Sequence, residues 1–166
     1  MLKYFLLALL TGISVHVHAQ GLSLKDLEAP IGKSMTYVSD SLINKGWKLN
    51  AGLTGSFETD YYRTFSYGNL ESDASKALAW IRIHTERTAV NRIYYQAPDK
   101  EAYEALLKEI EALQAVKLDT QLIENQTVTV FKGKNYVYQG ITADQSFTIV
   151  VISPSFYQNH TAAPKK

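Results

Sequence analysis

Between residues 76 and 96, apolar and polar positions alternate with a period of two. Ala77, Ala79, Ile81 and Ile83 fall on one side, and Leu78, Trp80, Arg82, His84 and Glu86 on the other. Successive side chains of a strand point to opposite faces, so this pattern predicts a strand. After the polar Glu86-Arg87-Thr88 the alternation resumes, with Ile93 and Tyr95 on the apolar side and Val90, Arg92 and Tyr94 on the other. The two runs read as a β-hairpin with a short turn. One of its faces is core-like; the other carries Trp80, Arg82, His84, Arg92 and Tyr94.

Helical spacing takes over on either side of this hairpin. Ser34 is a good N-cap, and Met35, Val38 and Leu42 follow with a helical period up to Gly46, which suits a left-handed C-terminal position. A helix over residues 35–45 is expected, with Trp47 folding back on Leu42. The second helix starts after Ala97-Pro98, with Asp99 as N-cap, and places Tyr103, Leu106, Leu107, Ile110 and Leu113 on one stripe.

Strand-like runs fill the remainder. Residues 48–53 precede a turn at Gly55, and residues 61–67 are rich in strand formers. Residues 69–75 are polar and loop-like. Residues 116–123 read as a strand, and residues 126–132, 135–140 and 146–152 as a meander of three neighbours. The segment from Trp47 to Leu53 (WKLNAGL) aligns with that from Val116 to Leu122 (VKLDTQL), each directly after a helix. The fold class expected is therefore α+β, with two tandem αββββ units, each an antiparallel sheet packed by one helix. Residues 34–97 form the first unit and 98–153 the second; residues 20–33 lead in, and residues 154–166, after the break at Pro154, are a flexible tail.

Residues 1–19 stand apart. Lys3, the apolar run from Tyr4 to Leu10 and the small residues near Ala19 have the layout of a signal peptide. Its removal leaves 147 of the 166 residues and takes Lys3 from the 17 basic residues, so 16 basic side chains balance 16 acidic ones. A neutral domain is not built to bind nucleic acid or an anionic membrane, and no membrane span remains after the leader. The chain has no cysteine. Disulfides are excluded, and the expected location is a bacterial periplasm or the cell exterior.

The segment from Ala29 to Ser34 (APIGKS), followed by a helix ending LINKGW at Trp47, resembles exported proteins of Bacteroidetes bacteria. The repeated order of one helix and four strands is similar to the architecture of the β-lactamase inhibitor protein family. That resemblance implies a concave sheet face, studded with aromatic and charged side chains, that grips a partner protein. It lies in element order and assigns no inhibitory residue to this chain, and the disulfides of that family have no counterpart here.

Candidate chemistry is sparse. Outside the leader the histidines are His84 and His160. With no cysteine beside them they make a zinc site improbable, and neither a metal nor a cofactor is expected. No Gly-x-Ser-x-Gly elbow accompanies His84, and Gly133-Lys134 sits between strands rather than at a helix N-terminus, so it reads as a hairpin turn. The carboxylate pairs Glu58/Asp60 and Glu71/Asp73 read as solvated. Trp, Tyr and Arg dominate interface hot spots. The expected function is thus a non-enzymatic, inhibitor-like binding protein that uses Trp80, Arg82, His84, Arg92 and Tyr94 to hold a protein or glycan partner. A small envelope hydrolase using His84 with a carboxylate, and a structural part of an envelope assembly, are the alternatives.

Overall fold

The computed structural model describes residues 21–68 and 77–161. The expected signal peptide and the polar loop at residues 69–75 lie outside the described residues. Among the described residues there are four helices: α1 (Leu24–Glu28), α2 (Met35–Asn44), α3 (Lys100–Ala112) and α4 (Pro154–Thr161). Nine strands accompany them: β1 (Lys48–Leu49), β2 (Gly55–Phe57), β3 (Asp60–Tyr67), β4 (Ala79–Glu86), β5 (Ala89–Gln96), β6 (Val116–Ile123), β7 (Gln126–Lys132), β8 (Val137–Ala143) and β9 (Ser146–Ile152). The strands make one sheet in the order β1-β3-β4-β5-β9-β8-β7-β6, with β2 also on β3. Every pairing is antiparallel. The mixed α and β content is as expected.

Local sequence chemistry sets the helix ends. The Ser34 hydroxyl accepts from the Tyr37 N–H (3.3 Å) and the Asp99 carboxylate accepts from the Ala102 N–H (2.8 Å). At the end of α2, Gly46 adopts φ +87°. The Gly46 N–H donates to the Ile43 carbonyl (2.9 Å) and the Trp47 N–H to the Leu42 carbonyl (3.0 Å), the two bonds of a Schellman ending. The chain turns there and brings Trp47 into the core with Leu42.

The core lies between one face of the sheet and helices α1, α2 and α3. Val38 and Leu42 of α2 join Ile81, Ile83 and Ile93 beneath them, while Tyr103, Leu106 and Ile110 of α3 join Tyr138, Ile149 and Val151. Gly140 on β8 permits the closeness of α3, since a Cβ there would meet the Tyr103 hydroxyl at 2.6 Å. Helix α1 is tied in by polar bonds at both flanks: the Leu24 N–H donates to Glu109 (2.9 Å) and Tyr138 donates to Glu28 (2.6 Å).

Several expectations change. The lead-in residues form α1, capped by Ser23 and Asp26. The run at 48–53 is a two-residue strand followed by a 3₁₀ turn at Ala51–Leu53, and Gly55 begins β2 instead of a turn. Strand β8 starts at Val137, two residues later than expected, because the β7–β8 turn is closed by the Gly133 N–H on the Tyr136 carbonyl. Val90 is buried, on the opposite face to Arg92 and Tyr94. A bulge pairs His84 with Arg92 but Thr85 with Val90, so Asn91 is the extra residue and the alternation changes phase there.

The largest change is at the C-terminus. Residues 154–161 of the expected flexible tail are helix α4, which packs Phe156 and Tyr157 against Val137, Val150 and Ile152 on the face of the sheet opposite the other helices. Ser153 is its N-cap, accepting from the Phe156 N–H (3.3 Å), and Pro154 occupies the first helical position, where a missing N–H costs nothing.

Two substitutions separate packing from backbone geometry. Ile110→Ala, at a fully buried site, is expected to cost about 2–5 kcal/mol of unfolding free energy in urea melts. Gly46→Ala, where a Cβ meets nothing nearer than 3.7 Å, is expected to cost about 1 kcal/mol from its positive φ alone.

Candidate functional site

Directly opposed residues of paired strands share a face, so the register fixes what stands on the side of the sheet away from α1–α3. Three cross-strand rows run there. One is Tyr62, His84, Arg92 and Ile152; the next is Thr64, Arg82, Tyr94 and Val150; the third is Ser66, Trp80, Gln96 and Thr148. The five residues singled out from the sequence therefore do share one face. An open groove of about 580 Å³ lies on it, lined by Leu53, Thr64, Trp80, Arg82, His84, Tyr94, Gln96 and Thr148. Helix α4 covers the neighbouring part of the same face over β8 and β9.

Arg92 has a different position from the other four. It does not line the groove; its guanidinium bonds the Asp60 carboxylate and lies over the Phe156 ring at 4.3 Å. The Arg92 side chain is only 12% exposed. It acts as a buried strut between the sheet and α4 rather than as a contact surface.

Asp60 is the centre of this strut. Its Oδ2 accepts from Arg92 and lies 2.9 Å from His84 Nδ1, while its Oδ1 is buried with no partner among the described residues. This corrects the reading of Asp60 as solvated. Its place at the first residue of β3, opposite Glu86, turns it inward beside His84. Glu58 is exposed in the β2–β3 turn, and Glu71 and Asp73 lie outside the described residues.

His84 is mostly buried between two rings, Tyr62 at 5.4 Å and Tyr94 at 5.1 Å between centroids. Burial pushes its pKa below the ordinary histidine value; the bond to Asp60 opposes that, and the charges of Arg92 and Arg82 add to it. The ring is therefore neutral near pH 7. Its Nδ1 lies 2.9 Å from Asp60 Oδ2 and 3.1 Å from the Arg92 guanidinium, and Nε2 has no partner among the described residues.

Arg82 is held differently from Arg92. Its Nε donates to Thr64 Oγ1 (2.9 Å), which in turn donates to the Leu53 carbonyl (2.6 Å), and its guanidinium lies 5.1 Å from the Tyr62 ring centre. No carboxylate pairs with it among the described residues. Nor does any group of three or more potential metal ligands come together among them. Glu86 pairs with His160 of α4 (3.1 Å).

The sequence reading missed Tyr62, Asp60, Thr64, Leu53, Gln96 and Thr148. The first three alternate along β3, a period-two signal that was present. Gln96 continues the alternation of Arg92 and Tyr94 on β5, a signal also present, whereas Leu53 and Thr148 reach the groove through a 3₁₀ turn and cross-sheet register, for which the sequence carries no local sign.

The lowered His84 pKa has a consequence for stability. The unfolded chain binds a proton at the ordinary value of about 6.5 and the folded chain only at lower pH, so the contribution of neutral His84 is complete above that value and is lost as pH falls through the folded pKa. Melting temperature is expected to fall on acidification below about pH 6.5, and less steeply in His84→Gln than in the parent; equal slopes would remove His84 as the cause. Comparison of the chain with protein-family models, with curated proteins and with solved structures found no match.

Proposed function

We propose that this chain is an exported, non-enzymatic binding protein whose sheet groove holds a glycan. One observation carries the reading: Trp80 and Tyr94 line the same concave space as Arg82, His84 and Gln96. Aromatic side chains offer flat apolar surface to the faces of sugar rings, and the polar groups beside them orient the hydroxyls. A volume of about 580 Å³ is in the range of sites for small ligands, and α4 covers the neighbouring part of that face over β8 and β9. The leader-like residues 1–19 support export.

The duplicated architecture belongs to the same proposal. Strands β1 and β2 are two pieces of one edge strand on β3, so the sheet divides into four positions on each side of the β5–β9 pairing. The matching segments at residues 47–53 and 116–122 start the two opposite edges. This supports two helix-plus-four-strand units joined through their last strands, similar in element order to the β-lactamase inhibitor protein family.

A second reading rests on the 2.9 Å contact of His84 Nδ1 with Asp60 and the free Nε2. A hydrolase could use such a pair as base and orienting carboxylate. No hydroxyl or thiol bonds Nε2 among the described residues, so water would be the nucleophile. This reading predicts a turnover that His84→Ala abolishes.

The test is titration calorimetry of the purified protein against a panel of oligosaccharides. Trp80→Ala is expected to weaken any ligand by about 2 kcal/mol, roughly thirtyfold, while Tyr37→Ala, exposed on α2 away from the groove, leaves affinity unchanged. Affinity that survives Trp80→Ala would move the site out of the groove.

A further inference from the structure

We infer that the sugar held in the groove carries a single negative charge, a carboxylate, and that Arg82 is the residue that recognises it. This deepens the glycan reading above and rests on it.

The argument is an inventory of charge. Of the groove-lining residues, Leu53, Thr64, Trp80, Tyr94, Gln96 and Thr148 are uncharged, and His84 is held neutral by its burial. The two charges behind His84 cancel, because Asp60 and Arg92 form an ion pair. Arg82 is left as the one charged lining residue. A partly buried cation costs free energy unless an anion or strong acceptors complete its shell. Thr64 and the face of Tyr62 complete only part of it. Thr64 takes Nε, so the donors on the two terminal nitrogens have no protein acceptor among the described residues. That pair of nitrogens matches the two oxygens of a carboxylate.

The size of the charge selects among anions. A phosphate monoester near pH 7 carries close to two negative charges and would leave one of them uncompensated in this groove. A carboxylate carries one. The neutral His84 strengthens the match, since its Nε2 is left to hydrogen-bond a sugar hydroxyl and it contributes no second positive charge that would call for another anion. A uronic acid presents both features, a planar carboxylate and adjacent hydroxyls on a ring whose faces suit Trp80 and Tyr94.

The probes are a short oligogalacturonate and its methyl ester, which has nearly the same shape without the charge. Titrations at low ionic strength would use the parent protein, Arg82→Gln, Arg82→Lys and Trp80→Ala, each first shown to melt cooperatively. The acid is expected to bind the parent about tenfold or more tightly than the ester. Arg82→Gln is expected to erase that preference, with Arg82→Lys between the two because it keeps the charge and loses the fork. Equal binding of acid and ester, both lost in Trp80→Ala, would overturn the charge inference and leave the glycan reading standing. A preference for the acid that persists in Arg82→Gln would overturn the role of Arg82. Binding of neutral oligosaccharides but of neither galacturonate probe would overturn the uronate while sparing the groove. Failure of every sugar in the panel would overturn both.

Discussion

The pairing of β5 with β9 is the contact on which the rest of the molecule depends. It runs from Arg92 opposite Ile152 to Gln96 opposite Thr148 and makes one sheet from strands far apart in the chain. On one side it places Ile93 and Tyr95 beside Ile149 and Val151, so that α2 and α3 cover a single continuous core. On the other side it brings Thr148 to the groove and sets the end of β9 so that α4 folds back over Arg92. Neither core nor groove belongs to one half of the chain.

Within that frame, Asp60 organises the charged part of the outward face. One carboxylate oxygen meets both His84 and Arg92, and Arg92 in turn carries Phe156 of α4. Burying an ion pair costs desolvation, and the return depends on its geometry and further bonds. Here the return is positional: the pair fixes the histidine ring and absorbs the charge of one arginine. Arg82, two residues before His84 on the same strand face, has only Thr64 and Tyr62 to hold it. Two arginines on adjacent rows thus have unlike roles because one of them lies next to a carboxylate.

The elements and faces were largely legible in the sequence, since period-two and helical spacing with Ser34, Asp99 and Gly46 as punctuation are local signals. Trp80, Arg82, His84, Arg92 and Tyr94 could be put on one face for that reason. What was not legible was relational. Asp60 reads as a turn-flanking acid until β3 is set against β4, and Arg92 reads as a surface cation until Phe156 covers it. The bulge at Asn91 reversed Val90 because an inserted residue leaves no mark on the alternation before it. Helix α4 is hidden because Pro154 reads as a break, although Ser153-Pro154 is also a way to begin a helix.

The position of β9 in the chain has a consequence for the order of folding. Until residues 146–152 have emerged, β5 is a bare edge strand, with Ile93 and Tyr95 on one side and Tyr94 on the other, open to pairing with any other extended chain. Closing that edge means crossing the whole of α3 and β6–β8, a long loop whose entropy is lost before any contact repays it. The half-finished sheet is also without Thr148, so the groove is complete only in a chain that has finished folding.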